Sequence, residues 1–135
     1  MASFFLDIYT PFGHYLKTNA SFLEVQSEDY LLGILPEHAP LVSSLVISKM
    51  VIEINATRYI YAIGGGIISI DKDGVTLLLD SIERSDEINL QRALDAKMRA
   101  EQRLSDSSDK TIDKKRAELA LARAINRIHL IQTDK

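Results

Sequence analysis

Residues 82–93, IERSDEINLQRA, mark the point at which the pattern of this sequence changes period. Before them, apolar and polar residues alternate in short runs, as they do at residues 50–55. After them, no glycine or proline interrupts residues 88–104. Alternation is typical of strands with one buried face, whereas an uninterrupted longer period is typical of helices. The sequence therefore predicts two units, residues 1–85 and residues 86–135.

The first unit has the composition of short strands separated by turns. The predicted strands are Phe4–Tyr9, Phe22–Val25, Leu31–Leu35, Met50–Ile54, Tyr59–Ala62, Ile67–Ile70 and Val75–Leu79. The glycines at 64–66 predict a bend or bulge and not a phosphate loop, because a strand follows them and no Gly-Lys-Ser/Thr is present. Asp71 and Asp73 fit a hairpin turn, since the glutamate that would close a calcium loop is absent. Strands at this spacing predict an antiparallel β-sandwich or a flattened barrel.

The second unit is predicted to be two helices, with Ser85 or Asp86 as the first N-cap. Residues 105–109 interrupt the helical pattern, and a second helix is expected from Lys110 to Leu130. Small and apolar residues line one face of each helix: Ala93, Ala96 and Ala100 on the first, and Ala117, Leu121, Ala124, Ile128 and Ile131 on the second. Such faces allow close packing, so we expect an antiparallel hairpin and an α+β fold overall. Buried alanines stabilise a hairpin little, and this one should need either the sandwich or a partner to lie against.

Charge is unevenly distributed between the units. The net charge of −3 divides into −5 for residues 1–85 and +2 for residues 86–135. Arginines recur at the same intervals on both predicted helices, at Arg92, Arg99 and Arg103 and at Arg116, Arg123 and Arg127. One explanation is a solvated face with i,i+4 ion pairs such as Asp95–Arg99. Two matched stripes are more than that explanation needs, and they suit an acidic protein segment or the phosphates of a nucleotide.

Several functional classes are disfavoured by what the chain lacks. There is no cysteine, and the three histidines are far apart in sequence, so no metal site is expected. No nucleophile and base form a recognisable pair, which argues against an enzyme. Nucleic acid is a poor partner for an acidic chain without aromatic residues on its helices. No targeting peptide or spanning segment is evident, so we expect a soluble protein.

The loop Leu35–Leu41 contains two prolines four residues apart, with His38 between them. Proline stiffens an extended loop, and the segment could be either a rigid connection or a docking loop. This loop, the three glycines, residues 82–93 and residues 115–127 occur together in an order that resembles the epsilon subunit of bacterial F-type ATP synthases. The resemblance covers nearly the whole chain.

The resemblance implies a non-catalytic subunit of the central stalk, peripheral to the cytoplasmic face of the bacterial membrane. Its sandwich would bind the gamma subunit and the c-ring, and its mobile hairpin would inhibit ATP hydrolysis at the alpha and beta subunits. No cofactor would be required. The residues expected to contact partners are Glu28, Asp29, Leu31, His38, Leu41, Arg116, Arg123 and Arg127.

Some family members bind ATP in the hairpin, through a motif that residues 88–93 match except at Asn89, where the family has aspartate. The resemblance places the base near Glu83, Ile88, Asn89 and Ala93, and the ribose and phosphates near Arg92, Arg99, Arg123 and Arg127. The carbonyl oxygen of Asn89 would accept from the adenine amino group. The loop Leu35–Leu41 also departs from the family pattern, because Glu37 stands where glycine or another small residue is usual. An alternative function is a stand-alone ATP-sensing module that uses the same arginines.

Overall fold

The computed structural model describes residues 2–106 and 113–133. The chain divides into two compact units, Met1–Arg84 and Ser85–Lys135. The first unit has eight strands: β1 Phe4–Thr10, β2 Gly13–Ala20, β3 Phe22–Gln26, β4 Leu31–Ile34, β5 Leu41–Ile54, β6 Thr57–Asp71, β7 Gly74–Leu79 and β8 Ile82–Arg84. The second has a 3₁₀ turn, Ser85–Glu87, and the helices α1 Leu90–Ser105 and α2 Lys114–Thr133.

The long strands β5 and β6 connect the two layers of the sandwich. They pair antiparallel from end to end, from Leu41 opposite Ile70 to Ile54 opposite Thr57. One half of β6 also pairs with β7, which continues to β1 and β2. The other half pairs with β8, while β5 continues to β3 and β4. The strand order ends at β2 and β4, so the sheet is an open sandwich and not a closed barrel.

The predicted sandwich followed by a helical hairpin is confirmed, with one departure from the antiparallel arrangement. β1 and β7 pair in parallel, from Leu6 opposite Val75 to Tyr9 opposite Leu78. Parallel neighbours need a long connection, and here the connection consists of all the intervening strands. The N-terminal strand therefore lies beside one of the last strands of the unit.

Several strand boundaries were wrong in the sequence prediction. β2 was missed because Gly13–Ala20 is an edge strand with mostly exposed polar residues, which leaves no apolar alternation to detect. β5 begins at Leu41 and not at Met50, and its first half includes serines on a partly exposed layer. β8, Ile82–Arg84, was missed in the sequence prediction because only three of its residues pair with β6.

The glycine run is a bend inside β6, and no extra residue is inserted. The two predicted strands on either side of it are one strand, Thr57–Asp71, whose register with β5 does not shift. The chain between β7 and β8 crosses at this point, where Asp80 N–H donates to Gly65 O at 2.9 Å and Gly64 N–H donates to Ser81 O at 3.0 Å. A Cβ at Gly64 would clash with the hydroxyl of Ser81. Glycine therefore permits the close backbone approach that redirects the strand.

Between the two layers lies a core of large aliphatic side chains. Its fully buried members include Leu6, Ile8, Leu23, Ile34, Met50, Ile52, Ile68 and Leu77. Alternating positions on neighbouring strands supply these side chains, as the period-two pattern predicts. The core belongs to the β unit alone, and it gives this unit a stable frame for its loops.

Each helix of the second unit begins at a side-chain cap. Asn89 Oδ1 accepts from the backbone N–H of Arg92 at 3.0 Å, and Asp113 Oδ1 accepts from that of Arg116 at 3.1 Å. The predicted N-cap at Ser85 or Asp86 was wrong, because those residues form a separate 3₁₀ turn before α1. Part of the predicted interruption at 105–109 and the predicted helix start at 110 lie outside the described residues.

Four alanines of the predicted faces are buried, while Ala96 of α1 and Leu121, Ile128 and Ile131 of α2 are half-buried. Ala93 and Ala100 of α1, and Ala117 and Ala124 of α2, each expose at most 3% of their surface. The helices pack against each other. Because alanine has only a methyl group, the two helix backbones can come close together. The buried alanines therefore define the inward face of each helix.

Candidate functional site

On α1 the arginines lie to one side of the inward face. Successive residues of a helix are rotated by about 100°. Arg92 and Arg99 come immediately before the buried Ala93 and Ala100, so they project about a quarter of a turn away from the helix interface. Arg103, three residues after Ala100, returns to the same side. All three arginines are exposed.

On α2 the same relation holds. Arg116 and Arg123 come immediately before the buried Ala117 and Ala124, and Arg127 is three residues after Ala124. Arg116 is exposed, while Arg123 and Arg127 are half-buried. The rotation from the inward alanines to these arginines has the same sense and size as on α1.

In an antiparallel pair, a twofold axis perpendicular to the plane of the two helices relates one helix to the other. Equivalent positions then lie on the same broad face of the hairpin. The buried alanines are seven residues apart on both helices, so a pairing of Ala93 with Ala124 also pairs Ala100 with Ala117. The six arginines consequently share one face, which we call the arginine flank: Arg92, Arg99, Arg103, Arg116, Arg123 and Arg127.

In the part of the chain that the structure describes, five of the six flank arginines lack the ion pairs that a purely solvated face would have. Within residues 2–106 and 113–133, no carboxylate lies within 4.0 Å of the guanidinium groups of Arg92, Arg99, Arg103, Arg116 or Arg123. The alternative pairing of Asp95 with Arg99 is not formed. Asp95 Oδ1 instead accepts from Gln91 Nε2 at 3.0 Å. Five positive charges on one face are therefore available to an external anion.

The residues predicted to surround the base belong to both units of the chain. Glu83 belongs to the β unit, where it is opposite Ala62 in the pairing of β8 with β6. Ile88 is half-buried, just before the cap of α1. Ala93 is 2% exposed, so its methyl group packs inside the hairpin and has little surface for a ligand. Asn89 is exposed, but its carbonyl oxygen already accepts from the Arg92 N–H.

The residues predicted to contact partners through the sandwich lie at two places. Glu28 and Asp29 are exposed in the turn before β4, next to the exposed Leu31. His38 and Leu41 follow β4, about 13 Å of strand further on. Glu28 and Asp29 therefore precede β4, and His38 and Leu41 follow it.

His38 and Leu41 are only half-buried. His38 Nδ1–H donates to the carbonyl oxygen of Ala39 at 2.7 Å, which holds the ring against its own loop. Leu41 packs against the sandwich core at the start of β5. Leu41 therefore contributes to the stability of the β unit as well as to any surface there.

An exposed apolar row across β1, β7 and β6 was missed in the sequence prediction. Tyr9, Leu78 and Ile67 are neighbours on β1, β7 and β6, and their exposed fractions are 39%, 52% and 47%. Phe12, in the turn after β1, is fully exposed. The alternation of buried and exposed positions in β1 indicates an outer face. Only the strand order shows that three strands contribute to one row. Contiguous apolar surface of this kind is typical of a protein interface.

Two family models match consecutive parts of the chain. The ATP synthase delta/epsilon chain β-sandwich domain matches residues 3–85, and the corresponding long α-helix domain matches residues 86–132. The chain belongs to the ATP synthase delta/epsilon family. The resemblance to epsilon subunits that the sequence motifs suggested is confirmed.

Bacterial members of the delta/epsilon family match over nearly their whole length. The ATP synthase epsilon chain of Desulforamulus reducens is 42% identical over 123 residues, which are 91% of this chain and 92% of the relative. That of Halalkalibacterium halodurans is 36% identical over 128 residues, which are 95% and 96% of the two chains. Both units of this chain are therefore present in these epsilon chains.

Solved structures of mitochondrial ATP synthases share the fold. A chain of the Euglena gracilis OSCP/F1/c-ring structure has a TM-score of 0.78 at 19% identity, and the match covers 93% of this chain and 79% of that one. A chain of the Tetrahymena thermophila central stalk and c-ring structure has a TM-score of 0.59 at 12% identity, with 98% and 96% covered. The order of sandwich and helices is thus conserved beyond recognisable sequence identity.

The loop that departs from the family pattern has an unusual backbone. Glu37 has φ = 67°, in the left-handed region that glycine adopts without strain. The resemblance predicts glycine or another small residue here, and of these only glycine adopts this conformation without strain. Glu37 and His38 also line a cleft of about 410 Å³ beside the turn between β6 and β7. The strained residue is thus on the surface of the β unit.

We expect Glu37→Gly to stabilise the β unit, because glycine relieves the left-handed strain at the cost of some unfolded-state entropy. The net gain should be about 0.5–1 kcal/mol in the free energy of unfolding. Urea unfolding followed by tyrosine fluorescence measures it, since all five tyrosines lie in this unit. Glu37→Ala is the control, because it removes the charge and keeps the strained Cβ. Equal stability of the glycine and alanine variants would contradict the explanation.

Neither helix in the described part of the chain is long and apolar enough to cross a membrane.

Proposed function

We propose that this chain is a non-catalytic subunit of the central stalk of a bacterial F-type ATP synthase. It connects the catalytic alpha and beta subunits, through gamma, to the ion-translocating c-ring. It would then be held peripherally at the cytoplasmic face of the membrane by that complex. The names of the relatives support this assignment over a stand-alone ATP sensor, because they are epsilon chains of the same two-unit length.

In this proposal, the sandwich makes the permanent contacts with gamma and the c-ring. Its outer apolar row, with Tyr9, Ile67 and Leu78, offers apolar surface that would be desolvated in a stable interface with gamma. The loop around His38 and the acidic turn at Glu28 and Asp29 are exposed polar sites suited to the rim of such an interface or to the c-ring.

The hairpin provides the regulatory contact, and the arginine flank is the observation that supports it. Its guanidinium groups, five of which have no carboxylate within 4.0 Å among residues 2–106 and 113–133, favour an acidic segment of a catalytic subunit, to which the hairpin would dock and thereby inhibit ATP hydrolysis. Charge-assisted hydrogen bonds from arginine to carboxylate are stronger than neutral ones. Because the helices pack through alanines, the hairpin has little core of its own, which suits an element with two arrangements.

The same flank would bind ATP as an allosteric ligand. Arg92 and Arg99 on α1, with Arg123 and Arg127 on α2, face one side only while the two helices are paired. A triphosphate held between them would favour that paired state over any arrangement that separates the helices. At a concentration 100 times its dissociation constant, the ligand would stabilise the state by about 2.7 kcal/mol.

Hydrolysis by the assembled enzyme tests the regulatory role. Deletion of residues 86–135 should raise the hydrolysis rate, because the inhibitory segment is removed. Alanine at Arg116, Arg123 and Arg127 should raise it partially, with the larger effect at low ionic strength. The control is alanine at Lys97, Lys114 and Lys115, which removes the same charge away from the flank. Rates equal to those with the intact subunit would contradict the inhibitory role.

A further inference from the structure

The outer apolar row ends at a histidine on the edge of the sheet. His14 is opposite Tyr9 in the pairing of β2 with β1, and β2 is the last strand of the order on this side. The centroids of the two rings are 4.7 Å apart, so the imidazole packs against the phenol ring. The row of Ile67, Leu78 and Tyr9 therefore continues to the ring of His14.

A half-buried carboxylate lies beside this imidazole. His14 Nε2 is 3.2 Å from Asp7 Oδ1, and the two side chains expose 41% and 31% of their surface. Because an ionised carboxylate only accepts hydrogen bonds, Nε2 carries a proton and donates it to this bond. The neutral imidazole can make the same hydrogen bond, but only the imidazolium balances the negative charge of Asp7.

Lys17 does not supply the counter-charge of Asp7. The two residues are opposite each other in the pairing of β1 with β2, yet no ion pair joins them within residues 2–106 and 113–133. The other titratable groups near His14 are Tyr9, on which it packs, and Asp80, which lines the same cleft of about 530 Å³ as Tyr9. Among the described residues, Asp7 is thus paired only with histidine, the side chain that changes charge between about pH 5 and pH 8.

We propose that His14 makes the contact of the apolar row with gamma depend on pH, with tighter binding at lower pH. This inference rests on the proposed contact of that row with gamma. Asp7 and Tyr9 project from the same face of β1, so a partner that covers Tyr9 also removes water from Asp7. A carboxylate that loses water without a counter-charge costs more free energy than one paired with an imidazolium. Protonation of His14 and binding of gamma therefore favour each other.

Binding of purified gamma to the immobilised full-length chain, at about pH 6 and about pH 8 and constant ionic strength, tests the inference. Titration of gamma itself is common to all variants, so each ratio of dissociation constants is compared with that of His14→Gln, which keeps a donor and does not titrate. The wild type should gain at least about threefold more affinity at the lower pH than His14→Gln does. His14→Lys, charged at both pH values, should have the ratio of His14→Gln. Asp7→Asn should reverse the effect, because the imidazolium is then the unbalanced charge.

Lys17→Gln is the matched control, since it removes a charge beside Asp7 that does not titrate in this range. Its ratio should equal that of the wild type, and urea unfolding at both pH values should show that every variant is folded. If the wild type has the same ratio as His14→Gln, or if Lys17→Gln loses the pH dependence, the role of His14 is overturned while the contact with gamma stands. If the folded full-length chain binds gamma at neither pH, the proposed contact itself is wrong, and the inference is overturned with it.

Discussion

Gly66→Ala should destabilise the β unit by at least about 3 kcal/mol, or prevent its folding. Gly66 has φ = 153°, and a Cβ there would lie 2.9 Å from Leu79 Cα and would clash with the carbonyl oxygen of Leu78. These are backbone atoms of β7, which cannot move aside without breaking the pairing of β6 with β7. Urea unfolding followed by tyrosine fluorescence measures the loss, because the tyrosines report on this unit alone.

Gly33→Ala is the matched control for this result. Gly33 is also in a strand, β4, but the nearest atom to an added Cβ is Phe22 Cε1 at 3.5 Å, an ordinary van der Waals distance. Its free energy of unfolding should change by less than about 1 kcal/mol. If Gly66→Ala is as stable as Gly33→Ala, the close approach of β7 to the glycine bend is contradicted.

Arg92→Ala should weaken ATP binding by at least about tenfold, because a guanidinium that contacts phosphate contributes about 1.5–3 kcal/mol. Arg92 is exposed and has no carboxylate partner in the described part of the chain, so its removal leaves no buried charge behind. Calorimetry on the full chain measures the dissociation constant. AMP, which lacks the two outer phosphates, should bind much more weakly than ATP.

The control for this variant is Arg103→Ala. Arg103 is equally exposed and lies on the same flank, but it is outside the set that the nucleotide motif implies. Its replacement changes the net charge by the same amount, and ATP binding should stay within about twofold of the wild type. Equal losses in the two variants would mean that the flank attracts ATP by general charge, without a defined site.

Sequence patterns were sufficient for the fold where burial dictates the residue type. The alternating strands and the alanine faces at Ala93 and Ala124 were predicted because packing permits few residues there. β2 was missed because it lies at an edge, where exposed residues are free to be polar, and β8 because only three of its residues pair with β6. The parallel pairing of β1 with β7 was missed because it joins segments more than sixty residues apart in sequence.

The candidate site was predictable only in part, for a related reason. The spacing of Arg92 and Arg99 placed them on one helix face, since helical geometry relates spacing to direction. Whether these arginines have ion partners depends on tertiary packing that spacing does not encode, and among the described residues Arg92 and Arg99 have none. The cap of α1 is Asn89 and not Ser85 or Asp86, because the 3₁₀ turn at Ser85–Glu87 precedes the helix.

Co-purification with the gamma subunit tests the central claim most directly. A tagged full-length chain, expressed with gamma, should retain it through a salt wash. A chain of residues 1–85 should fold as a β-protein and also retain gamma, because the proposed contacts are on the sandwich. Gly66→Ala, which disrupts that sandwich, should lose it. If the well-folded full-length chain retains no gamma, the assignment to the central stalk is contradicted and a stand-alone nucleotide sensor becomes the better account.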